Sequence, residues 1–230
     1  MWPIFIISLP DAAERRTAVT ARLSDLGLEG TFIDAVDGRN GLPTHLEALV
    51  DRASAKAHFH RDLTDAEFAC TFSHRTVYRR ILDDGLEGAV VLEDDAVPQT
   101  GFAAFLTEQC YRAADLILLD HRGALYLPWQ RARPLSPTIR ARPMINVPTL
   151  GTGYSVTARA AEKMLTARPK IDRTADWPVD IRRLGALAVR PRLVVADKGA
   201  GSAIEDLRGV SIKNSMSRWR IIGPPTRGDF

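Results

Sequence analysis

Three consecutive carboxylates, Glu93, Asp94 and Asp95, are the side chains whose types and spacing point most directly to chemistry. They follow the apolar run at residues 89–92, which predicts a buried strand that ends where the acids begin. In an open α/β sheet, ligands bind beyond the carboxyl ends of the strands. Strand alternation sends Glu93 and Asp95 to one side and Asp94 to the other. Converging carboxylates need a positive charge between them, which Mg²⁺ or Mn²⁺ on phosphate oxygens would supply.

The acidic triplet and two further polar residues, Asp120 and His74, each have a functional and a purely structural interpretation. The acidic triplet is also compatible with an acidic turn in solvent, because such turns commonly follow strands. Asp120 repeats the pattern after the apolar residues 116–119, where it either faces the same crevice or caps the next turn. His74 shares a helical face with Cys70 and Val77, a spacing that favours a hydrogen-bonded histidine in the core.

The elements that must position these residues alternate between strands and helices, which predicts an α/β fold. The predicted strands are residues 4–8, 31–36, 88–92, 116–119 and 193–196. Asp11 and Glu14 form a D-x-x-E capping box that predicts the start of the first helix. Thr64 and Glu67 form a second capping box, from which a long helix is predicted to run to Gly85.

Composition bounds the class of protein. The chain has 230 residues, 45% apolar and 26% charged, which fits a soluble single domain over residues 1–230. The net charge of +3 gives no argument for a nucleic-acid partner. Two cysteines exclude a disulfide framework and favour a reducing compartment. No apolar run reaches the ~20 residues that span a bilayer, and the apolar start breaks at Pro10, which favours a buried strand over a signal peptide. We therefore expect a cytoplasmic protein.

Two basic segments stand apart from the rest of the chain. Residues 121–161 contain no acidic side chain, and five prolines interrupt their middle, which predicts a long irregular loop over about residues 121–150. The arginines of this segment are Arg122, Arg131, Arg133, Arg140, Arg142 and Arg159. The loop is either solvated, or it contacts an anionic acceptor or lies against an anionic membrane surface. The basic tail at about residues 206–230, which contains Trp219, is either solvated or settles on an anionic leaflet.

Six short segments, taken in order, carry a family resemblance. They are I-S-L at 7–9 with E-R-R at 14–16, F-I-D-A-V-D-G at 32–38, L-T-x-x-E-x-x-C-x-x-S-H at 63–74, L-E-D-D-A at 92–96, G-T-G-Y at 151–154 and P-V-D at 178–180. Together they resemble glycosyltransferase family 25, the lipooligosaccharide and lipopolysaccharide glycosyltransferases. Each segment is weak alone, but their shared order over residues 4–180 is hard to obtain by chance.

The resemblance implies a GT-A-like, Rossmann-type fold in one domain, with a mostly parallel sheet flanked by helices. It also implies a UDP-sugar donor and inversion at the anomeric carbon. Transfer from such a donor expels a diphosphate, so a cation held by Glu93 and Asp95 would neutralise charge on the leaving oxygen. We therefore expect Mn²⁺ or Mg²⁺ as the cofactor.

Donor-binding roles come from the same resemblance. Arg15 and Arg16 are candidates for the uridine or the diphosphate, although a solvated helix face is the alternative for one of them. Asp34 is expected to bond the base or ribose, and Asp94 the ribose or a metal-bound water. The full expected donor site is Ser8, Leu9, Arg15, Arg16, Asp34, His74, Asp94, Gly151, Thr152, Gly153 and Tyr154. Its glycines are expected to admit close backbone approach to the sugar.

The general base that an inverting transfer needs is predicted to be Asp180. Pro178 suits a first helical turn, so Asp180 would lie at a helix N-terminus, where the dipole lowers its pKa and keeps it ionised. Asp176 is the second candidate, and its alternative role is the N-cap of that helix.

These inferences predict a metal-dependent inverting glycosyltransferase that moves a hexose, with galactose preferred by the resemblance, onto lipooligosaccharide or lipopolysaccharide. The expected partners are a nucleotide-sugar donor, a glycan or lipid-linked glycan acceptor and the inner face of the membrane, with no nucleic acid. One alternative is a nucleotide-sugar binding protein whose activity has decayed. It is motivated by Tyr78, where many members have Trp, and by the short region after Asp197. A metal-dependent phosphohydrolase is the other alternative.

Overall fold

The computed structural model describes residues 1–149, 151–197 and 199, together with the backbone of residues 226–227. The strands are β1 (Ile4–Ser8), β2 (Thr31–Asp34), β3 (Gly88–Glu93), β4 (Ala96–Pro98), β5 (Leu116–Leu118), β6 (Leu125–Tyr126), β7 (Arg133–Pro134), β8 (Arg140–Pro143), β9 (Gly153–Thr157), β10 (Leu187–Arg190), β11 (Val194–Ala196) and β12 (Thr226–Arg227). The α-helices are α1 (Ala13–Ser24), α2 (Thr44–Glu47), α3 (Arg52–Phe59), α4 (Asp65–Asp83), α5 (Phe102–Thr107) and α6 (Ala158–Thr166). Short 3₁₀ helices occupy Cys110–Ala113 and Ile181–Leu184.

Eight of these strands form one sheet in the order β2-β1-β3-β9-β5-β10-β8-β7. The neighbours β2, β1 and β3 are parallel, as are β5 and β10, whereas β9 is antiparallel to both β3 and β5. At the far edge, β8 is antiparallel to β10 and to β7. The predicted α/β class is confirmed, with a mixed sheet in which β8 and β9 run against the other strands. Because β9 is reversed, it begins at the edge where β3 and β5 end.

Helices cover both faces of the sheet, and strand alternation divides the core between them. On one face, Val91 of β3 packs in a cluster with residues of α4 and α6. On the other face, Val90 and Leu92 pack with residues of α1 and α5. All three side chains are fully buried. Burial of such side chains on both faces contributes roughly 1.5–3 kcal/mol each and holds β3 centrally in the sheet.

The predicted helix starts differ in outcome. The Thr64–Glu67 capping box is confirmed, since the Thr64 hydroxyl accepts from the Glu67 amide at 3.2 Å and the Glu67 carboxylate from the Thr64 amide at 2.9 Å. The Asp11–Glu14 box is wrong. Helix α1 begins at Ala13 after Ala12, with no side-chain cap bond.

The predicted irregular loop at 121–150 is wrong in part, because it contains β6, β7 and β8. The last two strands extend the main sheet as an antiparallel edge pair. Pro134 and Pro143 end these strands, a position where the missing amide is tolerated. The late strand predicted at 193–196 exists as β11, but it pairs with β4 outside the main sheet.

The rest of the C-terminal region is described only in small part. Apart from Gly199 and the backbone of β12, the glycine-rich stretch after Asp197 and the predicted basic tail lie outside the described residues. Among the residues that are described, no helix combines the length and apolar character that crossing a membrane requires.

Candidate functional site

The acids at the ends of β2, β3 and β5 meet Ser8, Arg15 and Arg16 at one edge of the sheet, where β1 also ends and β9 begins. The Glu93 amide donates to the Thr152 carbonyl at 3.0 Å, and the Asp120 amide donates to the Gly153 carbonyl at 3.2 Å. These bonds bring the turn before β9 against the acidic end of β3. The reversed direction of β9 thus joins two motifs that lie far apart along the chain.

One half of this edge holds acids that arginines neutralise. Asp94 is buried, with one carboxylate oxygen accepting from the Ser8 hydroxyl at 2.8 Å and the other from the Arg15 guanidinium at 2.9 Å. Arg16 donates to the Ser8 and Leu9 carbonyls at 3.0 and 3.1 Å. It also reaches the Asp34 carboxylate at 2.5 Å. We call Asp34 and Asp94 the paired acids.

This network collects six of the expected donor-site residues. Arg15 and Arg16 of α1 contact residues at the ends of the strands, so the alternative of a solvated helix face is wrong for each of them. Arg16 also lies over the Phe32 ring at 4.7 Å from its centroid, which holds the guanidinium above β2. The side chain of Asp34 is 69% exposed and is therefore accessible to a ligand.

The other half of the edge holds acids with much less positive charge around them. Asp95 has a buried carboxylate oxygen with no hydrogen-bond partner among the described residues. Burial, followed by the negative charge of Glu93, raises the Asp95 pKa to about 7. Asp120 is fully buried, with one oxygen near Arg192 at 3.3 Å and the other unpartnered in the described part of the chain. Burial raises the Asp120 pKa as well. We call Glu93, Asp95 and Asp120 the crowded acids.

The crowded acids fit a hard divalent cation. Carboxylate oxygens are the ligands that Mg²⁺ and Mn²⁺ prefer, and an unpartnered buried oxygen is costly unless a cation or a proton satisfies it. The nearby Asp94 and Asp120 charges raise the Asp95 pKa further, and Arg15 offsets this only in part. The carboxylate oxygens of Glu93 and Asp95, and the excess of negative charge around them, therefore suit a bound cation.

His74 lies in the core below this half of the edge, hydrogen-bonded as its helical spacing indicates. Its Nδ1 is 2.8 Å from the Tyr154 hydroxyl, and its Nε2 is 3.3 Å from Glu93 Oε1. The Tyr154 hydroxyl donates in turn to that of Tyr78 at 3.2 Å. All three rings are buried. The chain of polar atoms ends at Glu93, so Tyr154 and His74 support that carboxylate from below.

The two glycines of the G-T-G-Y segment have different surroundings. A Cβ on Gly153 would lie 2.9 Å from the Val194 side chain, so the missing side chain there allows close packing against β11. A Cβ on Gly151 would lie 3.3 Å from His74 Cε1 and 3.6 Å from Glu93 Oε1. Gly151 therefore borders the crowded acids. Between the glycines, the Thr152 side chain is buried.

Asp180 lies at a helix N-terminus, as predicted, although the helix is the short 3₁₀ turn at Ile181–Leu184. Its carboxylate accepts from the Arg182 amide at 3.1 Å and from the Arg182 guanidinium at 2.9 and 2.8 Å. These hydrogen bonds lower the Asp180 pKa, so the arginine rather than a long helix dipole keeps it ionised. The alternative that Asp176 is the N-cap is wrong, because Asp180 occupies that position.

Trp177 ties this segment to the core beneath the edge. Its ring packs edge-on against Tyr154 at 5.3 Å between centroids, and its indole N–H donates to the Pro148 carbonyl at 3.0 Å. Asp176 and Asp180 therefore flank a residue that packs directly on the chain from Tyr154 to Glu93.

Sequence reasoning missed Arg192 and Asp197 at this site. The Asp197 amide donates to the Asp95 carbonyl at 2.8 Å, and its carboxylate pairs with Arg22. Both residues flank the predicted strand at 193–196, and the pairing of β11 with β4 carries them to Asp95 and Asp120. Their place beside a strand end is the one local signal that could have identified them.

Comparison with known proteins gives a consistent set of relatives. The model of the family described as "Glycosyltransferase family 25 (LPS biosynthesis protein)" matches residues 1–181. The chain is 35% identical over 106 residues to lacto-N-neotetraose biosynthesis glycosyltransferase LgtB of Neisseria meningitidis serogroup A, covering 46% of this chain and 37% of that protein. It is 26% identical over 172 residues to procollagen galactosyltransferase 1 of Danio rerio, covering 72% and 28%. It is 30% identical over 129 residues to a "probable inactive glycosyltransferase 25 family member 3" of Bos taurus, covering 55% and 20%. The matched region thus spans less than two fifths of each relative's own length.

Proposed function

This chain belongs to glycosyltransferase family 25, and we propose that it transfers a hexose from a UDP-sugar to a glycan acceptor with inversion at the anomeric carbon, in a GT-A-like fold. The observation that carries the proposal is the group of crowded acids, where Asp95 has an unpartnered buried oxygen beside Glu93. A nucleotide diphosphate sugar is a substrate whose phosphate oxygens share a cation with carboxylates of this kind.

The metal-binding residues of the proposal are Glu93 and Asp95, with Mn²⁺ or Mg²⁺ as the cation. When bound, the cation neutralises the negative charge that develops on the leaving diphosphate. Asp120 is buried next to this pair and adds to the negative field that attracts a cation. Gly151 keeps the space in front of Glu93 free of a side chain.

The donor nucleoside is proposed to lie on the half of the edge that holds the paired acids. Asp34 is exposed there and accepts from Arg16, so it is oriented to accept a further bond from a ribose hydroxyl. Arg15 holds Asp94 in place and supplies positive charge near the diphosphate. The network is formed before any substrate binds, so little ordering is needed on binding.

The proposed chemical step uses Asp180 as the general base, with Asp176 as the second candidate. The acceptor oxygen forms a bond to the anomeric carbon, the bond from that carbon to the diphosphate breaks, and the acceptor proton passes to the carboxylate. The lowered Asp180 pKa keeps this carboxylate ionised and ready to accept the proton. The arginine that lowers it also holds it in one orientation.

The proposed sugar is galactose, and the proposed acceptor is a lipooligosaccharide or lipopolysaccharide glycan. The name of the relative procollagen galactosyltransferase 1 supports galactose, and the family description "LPS biosynthesis protein" supports the acceptor. We further propose a cytoplasmic protein that contacts the inner face of the membrane. Trp129 is 69% exposed in the acid-free, arginine-rich segment at 121–161, a composition that suits an anionic leaflet.

Thermal unfolding of the purified protein tests the donor site. UDP and its galactose, glucose and N-acetylglucosamine conjugates are each added with and without Mn²⁺, at 100 times the dissociation constant of the tightest ligand. We expect stabilisation of ~2.7 kcal/mol only when metal and a uridine nucleotide are present together. Asp95→Asn should abolish this effect, whereas Asp62→Asn, at an exposed acid, should keep it. If no nucleotide stabilised the wild type, with or without Mn²⁺, the result would contradict the proposal.

A nucleotide-sugar binding protein without transfer activity is the second candidate, favoured by the relative described as probably inactive. Both candidates bind UDP with metal, so turnover separates them. Release of UDP that accelerates on addition of a glycan acceptor supports the transferase. Tight binding without turnover on any acceptor tested supports the second candidate.

A further inference from the structure

Cys70 and His74 form a cluster of mixed ligands with Glu93, one of the crowded acids. Each residue offers one ligand atom, a sulfur, a nitrogen or an oxygen, and these atoms lie within 4.8 Å of one another. From this geometry we propose that the cluster is a binding site for a thiophilic divalent cation, of which Zn²⁺ is the representative. The site is separate in chemistry from the oxygen ligands proposed for Mn²⁺ or Mg²⁺.

Local structure brings the three residues together. Cys70 and His74 are one turn apart on α4, so their side chains lie on the same helix face. Glu93 ends β3, and its Oε1 is 3.3 Å from His74 Nε2. His74 is buried, Cys70 is partly buried and the Glu93 side chain is 29% exposed. The cluster is thus largely shielded and opens to solvent on the Glu93 side.

The imidazole of His74 is already oriented as a metal ligand. Its Nδ1 is held at 2.8 Å by the Tyr154 hydroxyl, and the ring stacks on that of Tyr154 at 5.8 Å between centroids. Metal-binding histidines commonly use one nitrogen for the ion and the other for such a fixed partner. Nε2 is therefore the atom that faces Glu93 and the open side of the cluster.

Gly151 places no side chain against the ligand atoms of His74 and Glu93. A Cβ at this position would lie 3.3 Å from His74 Cε1, 3.6 Å from Nε2 and 3.6 Å from Glu93 Oε1. Any larger residue would crowd the side on which the ligand atoms converge. Three protein ligands with an open position for water form a common zinc arrangement.

The ligand chemistry selects the class of ion. Thiolate and imidazole favour Zn²⁺, whereas Mg²⁺ and Mn²⁺ prefer oxygen. Zinc bond lengths of about 2.0–2.3 Å place the ligand atoms of a tetrahedral site roughly 3.3–3.8 Å apart. The separation of His74 and Glu93 already matches this spacing. A shift of roughly 1 Å in the Cys70 side chain would complete the set.

One consequence rests on the proposed function. Glu93 belongs both to this cluster and to the proposed Mn²⁺ site, so a zinc ion here would draw that carboxylate away from the oxygen cluster. Zn²⁺ should therefore weaken Mn²⁺-dependent UDP binding without competing for the nucleotide itself.

Titration of the metal-free, full-length protein with Co²⁺ tests the site. Cobalt bound by a thiolate produces a sulfur-to-metal charge-transfer band in the near ultraviolet. We expect this band to saturate at one equivalent and to disappear on addition of Zn²⁺. Cys70→Ala should abolish the band and lower the Zn²⁺ affinity about tenfold or more. Cys110→Ala is the matched control, because Cys110 is buried in the cluster on the opposite face of the sheet and should leave both unchanged.

Two results would overturn the proposal: Co²⁺ binding by the wild type without the thiolate band, or a Cys70→Ala variant with wild-type Zn²⁺ affinity. Circular dichroism of both variants establishes that they are folded. Mn²⁺-dependent UDP binding by Cys70→Ala should stay within about twofold of the wild type, since a cysteine is a poor ligand for that ion. Failure of UDP binding in a wild type that shows the cobalt band would count against the proposed function and leave the zinc site standing.

Discussion

Asp94 and Asp95 are neighbours in the chain, yet they belong to opposite halves of the same sheet edge. Asp94 faces α1, where the Ser8 hydroxyl and the Arg15 guanidinium satisfy its two oxygens. Asp95 has a buried oxygen with no partner in the described part of the chain, and the negative charge of Glu93 adds to the cost of its burial. Arg15 and Arg16 of helix α1 bind the paired acids, whereas Arg22 of the same helix pairs with Asp197.

The difference shows that charge balance, rather than the number of acids, separates the hydrogen-bonded network of the paired acids from the excess negative charge around Asp95. A paired acid stabilises the fold through its hydrogen bonds to arginine. Asp95, the crowded acid whose pKa burial and Glu93 raise to about 7, costs stability until a cation or a proton binds to it. We expect pairing with a basic residue to set the behaviour of each acid.

The largest effect is expected at Asp180, an arginine-paired acid that we propose is reactive. Asp180→Asn keeps a good N-cap residue but cannot accept a proton, so the transfer rate should fall by ~10²–10⁴ while UDP binding survives. Steady-state release of UDP measures the rate. Glu87→Gln, at an exposed acid paired with Arg112 near the start of β3, is the matched control and should retain full activity. If Asp180→Asn transferred sugar at the wild-type rate, Asp180 would not be the general base. Asp176→Asn would then test the second candidate.

The next largest effect is the pH dependence of stability at Asp95. Its pKa in the folded protein is about 7 against an ordinary value of 3.8, so the folded state holds the proton more tightly than the unfolded state. The stabilisation from this proton is fully present below about pH 4 and is lost as the pH rises through 7. In EDTA at pH 8, Asp95→Asn should therefore exceed the wild type in free energy of unfolding by ~2–4 kcal/mol, and the gap should close towards pH 4. Urea denaturation across this range gives both curves, and parallel curves would contradict the assignment.

A smaller effect is expected when a paired acid loses its arginine. Arg15→Gln removes the guanidinium from the buried carboxylate of Asp94 and should lower the free energy of unfolding by ~1–3 kcal/mol. Combining it with Asp94→Asn should recover part of this loss, because no buried charge is then left without its partner. A double-mutant cycle from urea denaturation measures the coupling. Additive single effects would show that the pair does not act as a unit.

The smallest effect is expected where pairing occurs in solvent. The side chains of Lys56 and Asp62 are 63% and 76% exposed and lie 3.0 Å apart. Lys56→Ala should change the free energy of unfolding by less than ~0.5 kcal/mol, because water already solvates both charges. If Lys56→Ala lowered the free energy of unfolding as much as Arg15→Gln, burial would not determine the effect of pairing.

Local patterns predicted the elements that carry the site. The apolar run before Glu93 identified β3 and its acidic end, and the capping box at Thr64 identified the start of α4. Both signals act within a few residues, through burial of alternating side chains and bonds to the first-turn amides. The Asp11 box failed because the same residue types also occur in turns, as they do before α1.

Other features could not be predicted because they depend on strand order. Nothing in the composition of residues 153–157 specifies that β9 inserts in reverse between β3 and β5. The prolines of the segment at 121–150 favoured a loop, yet sheet neighbours at the edge allowed β7 and β8 to form.

The sequence by itself determined the family, the polar ends of the strands and the helix face shared by Cys70 and His74, since motif order and periodicity are local properties. Only the tertiary structure decided which acids are paired and which are crowded, and that Asp120 lies close enough to Asp95 to raise its pKa. It alone brought Glu93 to His74 across 19 residues. The physical reason is that Coulomb energies and burial depend on distances in space, and these are set by how the strands and helices are arranged.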